Sequence, residues 1–320
     1  MSKYYLGIDT SAYTTSVAVI DEECNIIMDL RKPLIVKENK RGLRQQEAVF
    51  QHLNNLPHIF DTLSKNIDFK KIDTISVSTR PRNLNDSYMP VFIVGKNQAF
   101  ILSKVIGNNY KEFSHQEGHI GAGLLKESFL YDERFLAFHI SGGTCEIVLA
   151  ENRDDNLNIE LMGGSLDISF GQLIDRIGVY LGLKFPCGNE MDILSKEGKL
   201  LDINIPVSIK NDLWSNLSGL ENYFINLIDS KKYKNEDIIV TMFNVICKIL
   251  EKIVLNSQEI CKVDKILITG GVSANSYIRN YLLESKRSNI KYFFPERSLS
   301  SDNAVGTAYL GKIKKGHCLE

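Results

Sequence analysis

The chain has 320 residues, 43% hydrophobic and 24% charged, with a formal net charge of -1. Its length allows two lobes with their own cores, and the near-zero charge excludes a protein that coats nucleic acid unaided, although a local basic face, here or on a partner, still allows tRNA. There is no long apolar run and no charged-then-apolar leader, so a cytoplasmic protein without a membrane span is expected, with its six scattered cysteines reduced.

In chain order, residues 4–9 are apolar and β-prone, 10–15 small and polar, and 16–20 resume a strand. A turn at 21–23 leads to a third strand at 25–28. Residues 44–64 have a helical period through Val49, Leu53, Leu56 and Phe60, with Pro57 expected to kink or restart the helix. A strand at 72–79 and a helix at 91–105 follow. The opening plan then returns: a strand at 135–140, a loop at 141–144, a strand at 146–150, a polar turn at 152–156 and a strand at 158–162. Residues 169–183 and 236–258 are helical, the latter with Ile239, Met242, Phe243, Ile246, Ile249, Leu250 and Ile253 on one stripe. A buried strand at 265–269 runs into Gly270-Gly271-Val272-Ser273-Ala274-Asn275, and helices at 276–284 and 303–313 close the chain before a frayed tail at 316–320. The repeated strand–loop–strand–turn–strand unit predicts a duplicated, two-lobe α/β fold with its chemistry at the carboxyl ends of strands. The change of lobe is expected between residues 110 and 130, with 1–110 plus about 303–320 as lobe I and 111–302 as lobe II.

His115-Gln116-Glu117-Gly118-His119 puts two imidazoles on one helix face, close enough to chelate one divalent metal. Two histidines leave a metal under-coordinated, and the best acidic third ligand is Asp302, in Ser300-Ser301-Asp302-Asn303-Ala304. Taken alone, such a pair more often belongs to an ordinary helix surface. The metalloprotease pattern H-E-x-x-H is absent. Three loops that leave strands, residues 9–16, 141–144 and 270–275, are rich in Gly, Ser and Thr, whose backbone and hydroxyls can cradle phosphate. One such loop is commonly just a tight turn, and neither a P-loop nor a G-x-G-x-x-G is present.

Set after equivalent strands, the three loops resemble the two phosphate loops and the adenosine loop of the actin/sugar-kinase/Hsp70 superfamily. That resemblance implies an actin-like ATPase fold with an interlobe nucleotide cleft. Residues 268–275, His115 with Gly118 and His119, Ser141-Gly142-Gly143 and Ser301-Asp302-Asn303-Ala304 together resemble the TsaD family. This is the catalytic subunit of tRNA threonylcarbamoyladenosine synthase, formerly labelled glycoprotease or O-sialoglycoprotein endopeptidase. Gly164-Ser165-Leu166-Asp167, Phe185-Pro186-Cys187-Gly188 and Ser218-Gly219-Leu220 agree, in order along nearly the whole chain.

The resemblance implies an acyltransferase that moves threonylcarbamoyl from threonylcarbamoyl-AMP to the N6 amine of the adenosine 3′ of the tRNA anticodon. It implies iron or zinc on His115, His119 and Asp302. It also implies an adenine nucleotide as substrate or ligand, with Ile140, Ser141, Gly142, Gly143 and Thr144 lining the acyl-phosphate region and Asp175, Gly188, Asp192 and Asn275 on ribose or adenosine. Without the resemblance, Asp175 and Asp192 read as helix-surface acids and Asn275 as an N-cap. The implied partners are the tRNA anticodon loop, a paralogous inactive subunit and a small ATPase. Several positions depart from the family. Tyr13 and Thr14 stand where its E-T-S-C-D-E-T has acids, Thr144-Cys145 follow Ser141-Gly142-Gly143 where it has S-G-G-H-T, and residues 80–86 replace a Gly-Pro-Gly loop with one carrying Arg80 and Arg82. Arg41-Gly42-Leu43-Arg44 stands where the family is largely uncharged. The departures keep two other readings open: a divergent paralogue that binds nucleotide and a partner without transfer, and a carbamoyl or acyl transferase with another acceptor.

Overall fold

A computed structural model describes residues 3–11, 13–36, 43–84, 86–153, 156–205, 207, 209–210, 212–285 and 289–313. Ala12, Arg41-Gly42, Asn85, residues 154–155 of the polar turn and the tail with Cys318 lie outside the described residues. The chain begins with β1 (Tyr4–Asp9), β2 (Thr14–Ile20), β3 (Ile26–Pro33), α1 (Gln45–Asn66), β4 (Ile72–Arg80), α2 (Val91–Ile106), β5 (Asn109–Ser114) and α3 (His115–Leu124). It continues with β6 (Phe135–Ile140), β7 (Cys145–Arg153), β8 (Asn156–Ser165), α4 (Phe170–Tyr180), α5 (Gly188–Leu194), β9 (Ile209–Lys210) and β10 (Trp214–Ser215). The remainder is α6 (Ser218–Asp229), α7 (Asn235–Cys261), β11 (Lys265–Thr269), α8 (Ser276–Glu284), β12 (Lys291–Phe293) and α9 (Val305–Ile313).

Two compact units result: Met1–Asp132 with Asn152–Asn158 and Asp302–Glu320, and Glu133–Glu151 with Ile159–Ser301. Residues 111–132 fall in the first unit because α3 packs along α9. The first sheet has the order β3-β2-β1-β4-β5, with β1 antiparallel to β2 and parallel to β4. The second has the order β12-β11-β6-β7-β8-β10-β9, with β6 antiparallel to β7 and parallel to β11. Five strands of the second sheet therefore repeat the connectivity of the first, which is the duplication expected from the repeated strand unit.

In the first unit, alternation sorts two faces. Leu6, Ile8, Val17, Val19, Ile75 and Val77 form a core with Leu56, Ile59 and Leu63 of α1 and Val94 and Ala99 of α2. On the opposite face the residues are small, and α9 rests against the strands almost backbone to backbone. A Cβ on Gly7 would lie 2.2 Å from the Ala304 carbonyl oxygen, and one on Gly311 would lie 1.9 Å from Ser76 Oγ. α1 runs on through Pro57 and does not restart. The Pro57 ring lies on the exposed side, and the carbonyl it leaves unbonded belongs to exposed Leu53, where solvent can hydrate it. In the second unit the predicted α7 stripe is fully buried with Leu173, Ile174 and Ile177 of α4 and Leu136, Phe138 and Ile140 of β6. Burial of those seven α7 side chains favours folding by roughly 10–20 kcal/mol before chain entropy is set against it. Among the described residues five cysteines are free thiols, and no helix is long and apolar enough to cross a membrane.

The closest helix contact is between α3 and α9. A Cβ on Gly306 would sit 1.9 Å from the Gly118 carbonyl oxygen, and one on Gly121 would sit 2.6 Å from the Gly306 carbonyl oxygen. Backbone cannot give way as a side chain end can, so Gly306→Ala is expected to lower stability by about 1–3 kcal/mol. Gly143→Ala, where an added Cβ meets nothing within 4 Å, should change it by less than about 0.5 kcal/mol. Denaturant melts of both variants check the difference.

Candidate functional site

Three elements of the first unit end at one point. β5 ends at Ser114, whose hydroxyl accepts the Glu117 N–H at 3.1 Å while Glu117 Oε2 accepts the Ser114 N–H at 2.8 Å. This reciprocal cap fixes the start of α3, so His115 is its first residue and His119 follows one turn later on the same face. The Asn303 side chain accepts the N–H groups of Val305 and Gly306 and starts α9. The glycine contact between the helices then carries Asp302 to the histidines.

His115 Nε2 lies 3.1 Å from His119 Nε2, and Asp302 Oδ1 lies 3.6 Å from each. These are also the only three side chains among the described residues grouped as a metal-ligand cluster. A point equidistant from the three atoms is about 2.0 Å from each, within the range of metal–nitrogen and metal–oxygen bonds. Two imidazoles and one carboxylate form a donor set typical of zinc and non-haem iron, with room for a further ligand. The residues fit a divalent metal. His119 is buried, whereas the side chains of His115 and Asp302 are 19% and 25% exposed, so the cluster has an open side.

Behind His115 lies Asp9, at the end of β1 and 1% exposed. Its Oδ2 is 2.8 Å from His115 Nδ1 and accepts the Ser78 hydroxyl at 2.9 Å, while Oδ1 accepts the Ser11 N–H at 2.7 Å. Burial pushes the Asp9 pKa up, but the charge and hydrogen bond of His115 outweigh it and leave the carboxyl below its usual range. Burial, and then the charge of His115, push the His119 pKa down, against the pull of Asp302 and Asp9. The first loop is supported from below by His52 of α1, whose ring nitrogens meet Thr15 Oγ1 at 2.9 Å and the Ser11 carbonyl at 2.8 Å. Asp9, Ser78 and His52 belong to no metal-site motif in the sequence. A lone acid closing an apolar strand was the available signal for Asp9.

The predicted nucleotide residues all fall in the second unit. Ile140 is fully buried in the core, so it offers only backbone, and its carbonyl oxygen would be 2.5 Å from a Cβ on Gly270. Gly270 has φ +89°, a conformation natural to glycine. Ser141 through Thr144 form a turn in which Ser141 Oγ accepts the N–H groups of Gly143 and Thr144. Ser169, the N-cap of α4, donates its hydroxyl to the Gly142 carbonyl. Asp175 Oδ1 accepts the Cys187 N–H at 2.8 Å, just before Gly188 opens α5, and burial raises its pKa. Asp192 accepts both the N–H and the hydroxyl of Ser276, bracing the start of α8. Asn275 caps α8 through Oδ1, while its Nδ2 and the nearby Ser273 Oγ are buried without a hydrogen-bond partner. Of the altered positions, Arg80 donates to Asn83 Oδ1 at 2.8 Å and Tyr13 is 37% exposed.

The family described as tRNA N6-adenosine threonylcarbamoyltransferase (TsaD) matches residues 34–309. A relative from Sulfurihydrogenibium sp. (strain YO3AOP1), bearing that same description, is 31% identical over 96% of this chain and 89% of its own length. Another from Thermosipho africanus (strain TCF52B) is 30% identical over 97% and 94%. A solved ROK family glucokinase from Streptomyces griseus, in complex with glucose and AMPPNP, shares the fold with TM-score 0.54 at 9% identity, covering 98% of this chain and 99% of that one.

Asp167 joins two of the matched segments, since it accepts the N–H groups of Leu217 and Ser218 where α6 begins. Burial opposes its ionisation, yet these N–H groups hold its pKa at about 2. A depressed carboxyl stabilises the fold above its unfolded pKa and loses that effect as pH falls. Wild-type stability is therefore expected to fall between about pH 4 and pH 2 through this residue. In Asp167→Asn that part of the acid slope should disappear, as pH-dependent unfolding by circular dichroism can measure.

Proposed function

The chain belongs to the tRNA N6-adenosine threonylcarbamoyltransferase (TsaD) family, and from that membership we propose that it transfers threonylcarbamoyl from threonylcarbamoyl-AMP to the N6 amine of the adenosine 3′ of the tRNA anticodon. It is an acyltransferase acting on tRNA. The amine nitrogen attacks the carbamoyl carbonyl carbon, the carbon–oxygen bond to phosphate breaks, AMP leaves with the bonding electrons, and N6 gives up one proton.

One observation carries the metal assignment: the three-atom cluster of His115, His119 and Asp302. We assign it to one divalent ion, iron or zinc. Bound there, the ion supplies a Lewis acid for a phosphate or acyl oxygen. His119 is fixed by burial, and the partly exposed His115 and Asp302 leave the substrate side open. For the adenylate we assign Ile140 (through its backbone), Ser141, Gly142, Gly143, Thr144, Asp175, Gly188, Asp192 and Asn275. The unsatisfied Asn275 Nδ2 supports a ligand contact there, because a buried donor left unpaired is unfavourable. Asp192 acts by holding Ser276, and so the Asn275 turn, in place.

The chain is proposed to work in the cytoplasm with a paralogous inactive subunit and a small ATPase. An outward stripe on α2, with Ile93, Phe100, Ile101 and Val105 between 40% and 78% exposed, supports a protein partner. The loop carrying Arg80 and Arg82 supports one second reading, a carbamoyl or acyl transferase that uses the same chemistry on another acceptor.

Metal analysis and adenylate calorimetry on the full chain, and a tRNA transfer assay on the full chain together with its proposed partner subunits, test the proposal. The wild type should carry one metal equivalent and modify tRNA. Asp302→Ala should lose the metal and about 10²-fold or more of the transfer rate. Transfer by Asp302→Ala at the wild-type rate would overturn the metal assignment, and adenylate binding without any transfer to tRNA would select the second reading.

A further inference from the structure

Asp9 is not among the three metal ligands, yet it makes the most enclosed polar contact of the cluster. As a carboxylate it only accepts hydrogen bonds. Three donors converge on it: the Ser11 N–H on Oδ1, and the Ser78 hydroxyl and His115 Nδ1 on Oδ2, at 2.7, 2.9 and 2.8 Å. Nδ1 of His115 must then carry its hydrogen, since a lone pair there would face a buried anion. In the neutral ring that leaves the lone pair on Nε2, the atom that faces His119 Nε2 and Asp302 Oδ1.

We propose that Asp9 is a positioning residue that sets the Nδ1–H tautomer and the ring orientation of His115, and so makes Nε2 available to a metal. The inference rests on the metal assignment made above. A carboxylate behind a metal-binding imidazole fixes its tautomer and raises its basicity. Here the same carboxylate also holds the backbone of the first loop through Ser11. The sequence places this acid 106 residues from His115. Only the meeting of β1 and α3 in the first unit brings the two together.

The near-isosteric Asp9→Asn variant separates orientation from bulk. Its amide oxygen must stay toward the Ser11 N–H, because a backbone N–H can only donate. Its NH2 then faces His115 Nδ1 and Ser78 Oγ. An NH2 donating to Nδ1 moves the ring hydrogen to Nε2, which removes the metal-binding lone pair.

Zinc, as a redox-silent probe, is titrated against a competing chelator into metal-free full-length wild type, Asp9→Asn and Ser78→Ala. Melts of the metal-free proteins establish that each is folded. The 15N shifts of the His115 imidazole are read in the metal-free proteins at about pH 8.5, where an ordinary histidine is neutral. Asp9→Asn should bind zinc about 10–100-fold more weakly and show the Nε2–H tautomer, while the wild type shows Nδ1–H. Ser78→Ala, which keeps the charge, should lose less affinity than Asp9→Asn. Equal zinc affinity in wild type and Asp9→Asn, or an Nε2–H tautomer in the wild type, overturns the positioning role and leaves the metal assignment standing. Failure of the wild type to bind zinc at all overturns the metal assignment itself.

Discussion

The close crossing of α3 and α9 is the constraint from which the candidate metal centre follows. Gly306 abuts the Gly118 carbonyl and the Ala122 amide of α3, and Gly121 abuts the Gly306 carbonyl, while Thr307 and Leu310 of α9 fill the space left by Gly118 and Gly121. Asp302 lies just before α9 and His115 opens α3, so the separation of the helices sets the separation of a carboxylate from two imidazoles. A few tenths of an ångström matter there, because a metal–ligand bond tolerates little stretch. α9 is itself pressed to the first sheet by the same device, through Gly7 and Gly311. Small residues thus do for this site what large apolar ones do for the α7 core: they fix a distance.

Carboxylates organise the two units in different ways. In the first, Asp9 is sunk below the metal ligands, its ionised form favoured by a histidine and two further donors. In the second, Asp167, Asp175 and Asp192 each accept backbone N–H groups at the start of a helix or just before it. A helix start is rich in unsatisfied donors, and an acid there complements the helix dipole as well. These contacts hold the start of α6, the Cys187–Gly188 corner and the Asn275 turn. An acid matched to the family can therefore serve a ligand by shaping the loop that meets it.

Much of this was legible from residue order. The repeated strand unit predicted the duplicated sheets because alternation and β-branched residues mark strands locally. The spacing of His115 and His119 was readable because one helical turn is a local property. Asp302 is legible from its small-residue surroundings, in which Asn303 starts α9 and the Ala304 carbonyl lies against Gly7. β5 has no strand signature in the sequence because Asn109–Ser114 is largely polar, with only its last three residues buried. The short β9, β10 and β12 carry too few residues to show a period. Pro57 was expected to disturb α1, but its exposed side leaves the helix whole. Asp9 and Asp192 were beyond local reading in their structural roles, because their partners His115 and Ser276 lie 106 and 84 residues away. The reaction itself came from resemblance: no spacing in the chain spells out threonylcarbamoyl transfer.

The central claim is that one ion sits on ligands from α3 and from the residue before α9. X-ray absorption fine structure on metal-loaded protein, paired with anomalous diffraction at the metal edge, tests it most directly. The account predicts one strong site bonded to Nε2 of His115, Nε2 of His119 and a carboxylate oxygen of Asp302, at about 2.0–2.2 Å. An ion held elsewhere, or held by the histidines with Asp302 outside bonding distance, would contradict it.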